Sequence, residues 1–90
     1  MRQFDVYGKK VKVNTQSLDK LFGEFDRHLY TITLDKGLDE HTKQITLLHE
    51  LIHAILHRTS IHIELSDELE ELICDNIAKC FCENFNFELE

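Results

Sequence analysis

The chain has no proline, no tryptophan and only three glycines in 90 residues. It shows no internal repeat and no low-complexity stretch, so nothing marks a linker, and a chain this short makes one small domain, residues 1–90. It has no excess of base either. Ten Lys and Arg face 17 Asp and Glu, for a formal charge of −7. That balance argues against phosphate-backbone binding and against an anionic membrane surface, so neither nucleic acid nor membrane is an expected partner. The acid is concentrated in "ELSDELEE", and the lysines of "GKKVKV" read as a solvated strand face. No run approaches membrane-spanning length, and "MRQFDVYGKK" lacks the apolar stretch of a secretory signal. The three cysteines, Cys74, Cys80 and Cys82, crowd one late segment, whereas a disulfide framework would spread them along the chain. The expectation is a reduced cytoplasmic protein, with these cysteines in core packing.

What is present is a composition that can bury a core: 42% hydrophobic and 30% charged residues. "FDVYGKKVKV" alternates around Gly8 and suits a strand or bent hairpin, followed by "NTQSLDK" as a polar connection or one helical turn. Residues 21–25 and 29–34 read as strands joined by a tight turn at Asp26–His28, the second with its apolar face on Tyr30, Ile32 and Leu34. From Thr42 to about Arg58 the spacing turns helical, with Ile45, Leu48, Ile52, Ile55 and Leu56 on one face. "TSIHIEL" connects to a second helix, N-capped by Ser66 and running to about Asn84. Strands first and helices after predict an α+β fold, a small antiparallel sheet of about three strands packed on two main helices.

The first helix carries "LLHELIHAILH", three histidines at four-residue spacing and one glutamate. Histidines at i and i+4 stand about 6 Å apart along the axis and can share one metal ion; His49 and His57, about 12 Å apart, cannot. Glu50 decides between the two adjacent pairs. In His-Glu-x-x-His a carboxylate follows the first ligand and can act as general base, whereas Ala54 would stand there for the pair His53/His57. The predicted ligands are therefore His49 and His53, with Glu50 catalytic and His57 outside the ligand set. His28, His41 and His62 fall in turns or connections, where surface residues are the default.

A catalytic zinc needs a third protein ligand. Leu56 and Thr59 stand where the metzincin pattern needs glycine and histidine, which excludes that class. A glutamate of the second helix remains. Glu70 lies near the centre of that helix's apolar arc. Glu71 lies at its edge, with Asp75 four residues on, on the same face, as an acceptor able to hold a ligand histidine in one tautomer. "TLLHELIHAI" and "EELICDNIA" together resemble the gluzincins, in particular the compact ImmA/IrrE-type metallopeptidases and related phage proteins. In that family a glutamate of the following helix completes the zinc site, with a bulky and a small apolar residue six and seven positions later. Ile77 and Ala78 fit if the glutamate is Glu71; Glu70 stays as the alternative. "GEFDRHLYTITL" is similar to the strand–turn–strand that precedes the family's catalytic helix, so the resemblance spans roughly 21–85. Cys74 and Asp75 depart from it, standing where many relatives have Ala and Asn, and no helix-turn-helix accompanies the domain.

The resemblance implies a zinc-dependent metallopeptidase, minimal and of phage or bacterial type. It would hydrolyse a peptide bond through a zinc-activated water, with Glu50 as base and a protein or peptide substrate such as a transcriptional repressor. Tyr30, His28 and His57 are candidates to stabilise the oxyanion. An extended substrate could pair with an exposed sheet edge, for which the 29–34 strand is the candidate. The alternative function is a catalytically silent, zinc-stabilised interaction module, in which the metal adds folding energy to a small core.

Overall fold

A computed structural model describes residues 2–86 of the chain. Strands β1 (Arg2–Val6), β2 (Lys9–Gln16), β3 (Gly23–Asp26) and β4 (Thr31–Asp35) precede helix α1 (Glu40–Arg58), a short 3-10 turn (Ile61–Glu64) and helix α2 (Asp67–Asn84). The α+β class holds, but the sheet is four-stranded and mixed, in the order β1-β2-β4-β3. β1 and β2 form a hairpin closed by two residues, Tyr7 at φ 51° and Gly8 at φ 81°, the paired positive φ that matches strand twist.

β2 and β4 run parallel, Val13 beside Ile32 and Gln16 beside Asp35, so the expected all-antiparallel sheet is corrected. The polar "NTQ" continues β2 and is not a connection, because Asn14, Thr15 and Gln16 pair with the end of β4. Chain 17–22 then crosses the end of β4 and delivers β3 to its far side. Asp35 secures that crossing: its carboxylate accepts from the Leu18 amide at 2.8 Å, and its own amide donates to the Phe22 carbonyl at 2.8 Å. As a result β4, proposed from the sequence as an edge, lies inside the sheet, and β3 is the edge next to α1. The β3–β4 turn spans 27–30, one residue later than expected at its start. Asp26 accepts there from the amides of Leu29 and His28, which lowers its carboxyl pKa.

One sheet face is buried. Val11, Val13, Ile32 and Leu34 pack with Leu47 and Ala54 of α1, while Lys10, Lys12 and the threonines of β4 alternate to the other face or its margins. The opposite side of α1 meets α2, where Ile52 and Leu56 pack on Cys74 and Ala78. Ile55 falls between these two contacts and is 38% exposed, so it leaves the buried stripe expected of it. Both helices start on side-chain caps, Asp39 accepting from Thr42 and Ser66 from Leu69. Cys74 is buried as expected, but Cys80 is exposed, two residues before the half-buried Cys82, and none of the three is in a disulfide. Among the described residues no helix is long and apolar enough to cross a membrane.

Candidate metal centre

α1 and α2 pack side by side with their histidines and carboxylates facing one another. His49 and His53, one turn apart on α1, have ring centroids 5.0 Å apart. The Glu71 carboxylate of α2 faces both, Oε1 at 2.7 Å from His53 Nε2 and Oε2 at 3.5 Å from His49 Nε2. One ligand-type atom from each of the three residues lies within 4.8 Å of the others, a span a single ion can bridge.

Glu70 takes a different place. Its Oε2 lies 2.6 Å from His53 Nδ1 and 3.4 Å from His57 Nε2, behind the two rings and buried. His53 therefore faces a carboxylate with each ring nitrogen. A neutral imidazole carries one N–H and donates to one of the two carboxylates; its other nitrogen then presents a lone pair, the form in which imidazole binds a metal. With Nδ1–H donating to buried Glu70, the Nε2 lone pair is left toward Glu71. This donor set, two imidazole nitrogens and a carboxylate, fits zinc. Asp75 sits beside His49, Oδ1 at 4.0 Å from Nδ1, while its other oxygen accepts from Lys79 at 3.0 Å.

Glu50 follows His49 but turns inward and is only 8% exposed. Burial, reinforced by the charges of Glu71 and Glu24 and opposed by His53, raises its pKa from the ordinary carboxylate value to about 7. It borders a cavity of about 360 Å³ that His53, His57 and Glu70 also line, with Arg27 and Phe25 opposite. His57, in the last turn of α1, stacks on His62 with centroids 3.9 Å apart. Burial and then the His62 charge hold His57 below the ordinary imidazole value.

Of the residues singled out from sequence, His49, His53, Glu71 and Glu50 are brought together, with Asp75 and His57 at the margins. Tyr30 and His28 are not. Tyr30 packs edge-on against Phe25 at 5.4 Å, and His28 borders a neighbouring hollow with Glu24 and Asp26, on the other side of Phe25 and Arg27, which line both. Three residues at the site were not predicted in these roles. Glu70, weighed only as a ligand, lies behind His53, and its seat in the apolar arc of α2 was the signal. Arg27 and His62 lie in a turn and a connection, where spacing carries no information about what they face. Burial with the neighbouring charge of Glu70 pushes the Cys74 thiol up to about 12, which marks it as core and not as a metal-binding thiolate.

The arrangement can hold a metal ion beside a buried carboxylate, with a cavity open to a substrate. The described residues of that arrangement fall inside a wider sequence match. The model of a peptidase family, the IrrE N-terminal-like domain, matches residues 9–82, from the start of β2 almost to the end of α2. No curated protein matches the chain. With most of its length covered by that match, the chain belongs to the IrrE N-terminal-like domain family of peptidases.

Proposed function

We propose that the chain is a zinc-dependent peptidase in which His49, His53 and Glu71 hold the metal and Glu50 is the general base. The observation that carries this reading is the convergence of two Nε2 atoms from α1 on one carboxylate from α2, next to a buried glutamate. Zinc held there would supply Lewis acidity, polarising a substrate carbonyl and acidifying water. Glu50 takes a proton from the attacking water and returns it to the leaving amine; a carboxylate in a dry site keeps that proton more readily than one in bulk water. Glu70 fixes His53 in the tautomer that leaves Nε2 free. Asp75, at 4.0 Å from His49 Nδ1, stands beyond hydrogen-bond distance and acts on His49 through its charge alone.

Developing negative charge on the substrate oxygen needs a donor. Arg27 and His57 border the same cavity as Glu50 and take that part in place of Tyr30 and His28. The substrate is a protein segment that lies extended along β3, whose outer edge has no strand partner among the described residues. A purely structural zinc site would have no use for Glu50 beside its ligand, which weighs against a silent interaction module. The test is Glu50→Gln: the variant retains zinc, while hydrolysis of a peptide cleaved by the wild type falls by roughly a hundredfold or more. Full hydrolysis by a zinc-loaded Glu50→Gln protein would exclude Glu50 as the base.

A further inference from the structure

Glu50 and Glu71 border two cavities of different chemistry. The one on the His57 side carries Arg27, three imidazoles and acids. The other, on the His49 side, encloses about 610 Å³ and is bounded by Leu21, Phe22, Ile45 and Thr46. Beyond His49, Glu50 and Glu71 on its border, nothing in the hydrolytic chemistry uses this second groove.

Its wall exposes large apolar side chains, Leu21 at 51% and Phe22 at 63%. Adjacent exposed apolar groups rimmed by polar ones mark places where another molecule is bound. The wall is also firmly anchored. The Phe22 carbonyl accepts from the Asp35 amide, the Leu18 amide donates to the Asp35 carboxylate, and Lys20, at φ 72°, turns the chain between these ties. Behind it, Gly23 lies so close to α1 that a Cβ would meet Thr46 Cγ2 at 2.7 Å. The segment is thus fixed against the helix while its two largest side chains face solvent.

We infer that this groove is the specificity subsite of the cleft, seating a large apolar side chain of the peptide substrate next to the scissile bond. The inference rests on the peptidase reading for its chemistry but not for binding. The occupant belongs to a peptide lying in the cleft because the groove is continuous with the candidate centre, sharing His49, Glu50 and Glu71 as its border. It is apolar because Leu21, Phe22 and the Ile45 side chain offer no hydrogen bond; of the two cations on its border, Lys79 is paired with Asp75, and Lys20 is outnumbered by the carboxylates Glu50, Glu71 and Asp75. An acidic side chain would meet Glu50, Glu71 and Asp75. The size of the groove falls within the roughly 300–1,000 Å³ usual for binding pockets, ample for an aromatic or long aliphatic group.

The experiment uses the zinc-loaded full chain and a randomised peptide mixture, with cleavage positions mapped by mass spectrometry for wild type and Phe22→Ser. The wild type is expected to cut next to Phe, Leu, Ile or Met with kcat/KM roughly tenfold or more above Ala, on one side of the bond. Phe22→Ser, which removes no core contact, collapses that ratio, chiefly through KM. Cleavage without an apolar preference, or a preference that Phe22→Ser leaves intact, overturns the inference and spares the peptidase reading. A second readout does not need turnover: amide shifts of Glu50→Gln titrated with capped peptides containing Phe or Ala. Shifts at residues 20–23 and 42–46 with the Phe peptide alone support the subsite even if no peptide is cleaved, in which case only the peptidase reading fails. Absence of those shifts overturns the subsite.

Discussion

Glu50 and Glu70 are both buried carboxylates, each 8% exposed, and they differ in what compensates them. Glu70 has His53 at 2.6 Å and His57 at 3.4 Å; Glu50 makes no hydrogen bond or ion pair to any described residue and loses its solvation. A raised folded-state pKa means that the native metal-free protein binds more protons than the unfolded chain between about 4.5 and 7. The contribution of Glu50 to stability is therefore fully present below pH 4.5, falls as pH rises through that window, and levels off above 7. Glu50→Gln removes the titration. Denaturant unfolding of the metal-free proteins is expected to show the variant more stable at pH 8, by about 3 kcal/mol at most, with the advantage vanishing near pH 4.5. Parallel pH profiles for the two proteins would contradict the burial account. Much at this scale was legible in the sequence, because a four-residue repeat on a helix fixes which side chains share a face. Arg27 was not, since a turn residue's direction depends on a hairpin whose position is set by Asp35, eight residues on.

At the scale of elements, α1 and α2 are where sequence and structure agree best. Their caps, Asp39 and Ser66, are local signals, although α1 begins at Glu40 and not at Thr42 because Asp39 Oδ1 already accepts from the Thr42 amide at 2.8 Å. The sheet was less legible. The parallel pairing of β2 with β4 joins segments some twenty residues apart, and its polar half, Asn14 to Gln16, alternates no apolar groups that would announce a strand. β3 is held against α1 by the absence of a side chain at Gly23. Gly23→Ala would bring a Cβ within 2.7 Å of Thr46 and 3.2 Å of Leu34, both buried. It is expected to cost roughly 1–3 kcal/mol in thermal or denaturant unfolding and to displace the strand bordering both cavities. An unchanged midpoint would mean that β3 is not pressed against the helix as described.

For the whole molecule, the two apolar clusters meet across α1, one against the sheet and one against α2. The candidate ligands come from both helices, so a bound ion ties α2, which packs on α1 and barely on the sheet, to the rest of the domain. Zinc at a thousandfold excess over its dissociation constant would add about 4 kcal/mol to folding. In a domain of this size that corresponds to a melting point roughly 15–30 °C higher than after chelation. A chelator without effect on melting would count against a metal shared by the two helices. Of the two buried acids, Glu70 has its desolvation offset by His53 and His57, whereas Glu50 has no such partner, and a bound metal would add the folding energy that lets so small a core tolerate it.

The most direct test of the account is zinc content by elemental analysis in the wild type, Glu71→Gln and Glu70→Gln, each purified without chelator and reconstituted. The account predicts stoichiometric zinc in the wild type, loss in Glu71→Gln, and retention with roughly tenfold to a hundredfold weaker affinity in Glu70→Gln. Zinc undiminished in Glu71→Gln, or no zinc in the wild type after reconstitution, would contradict it.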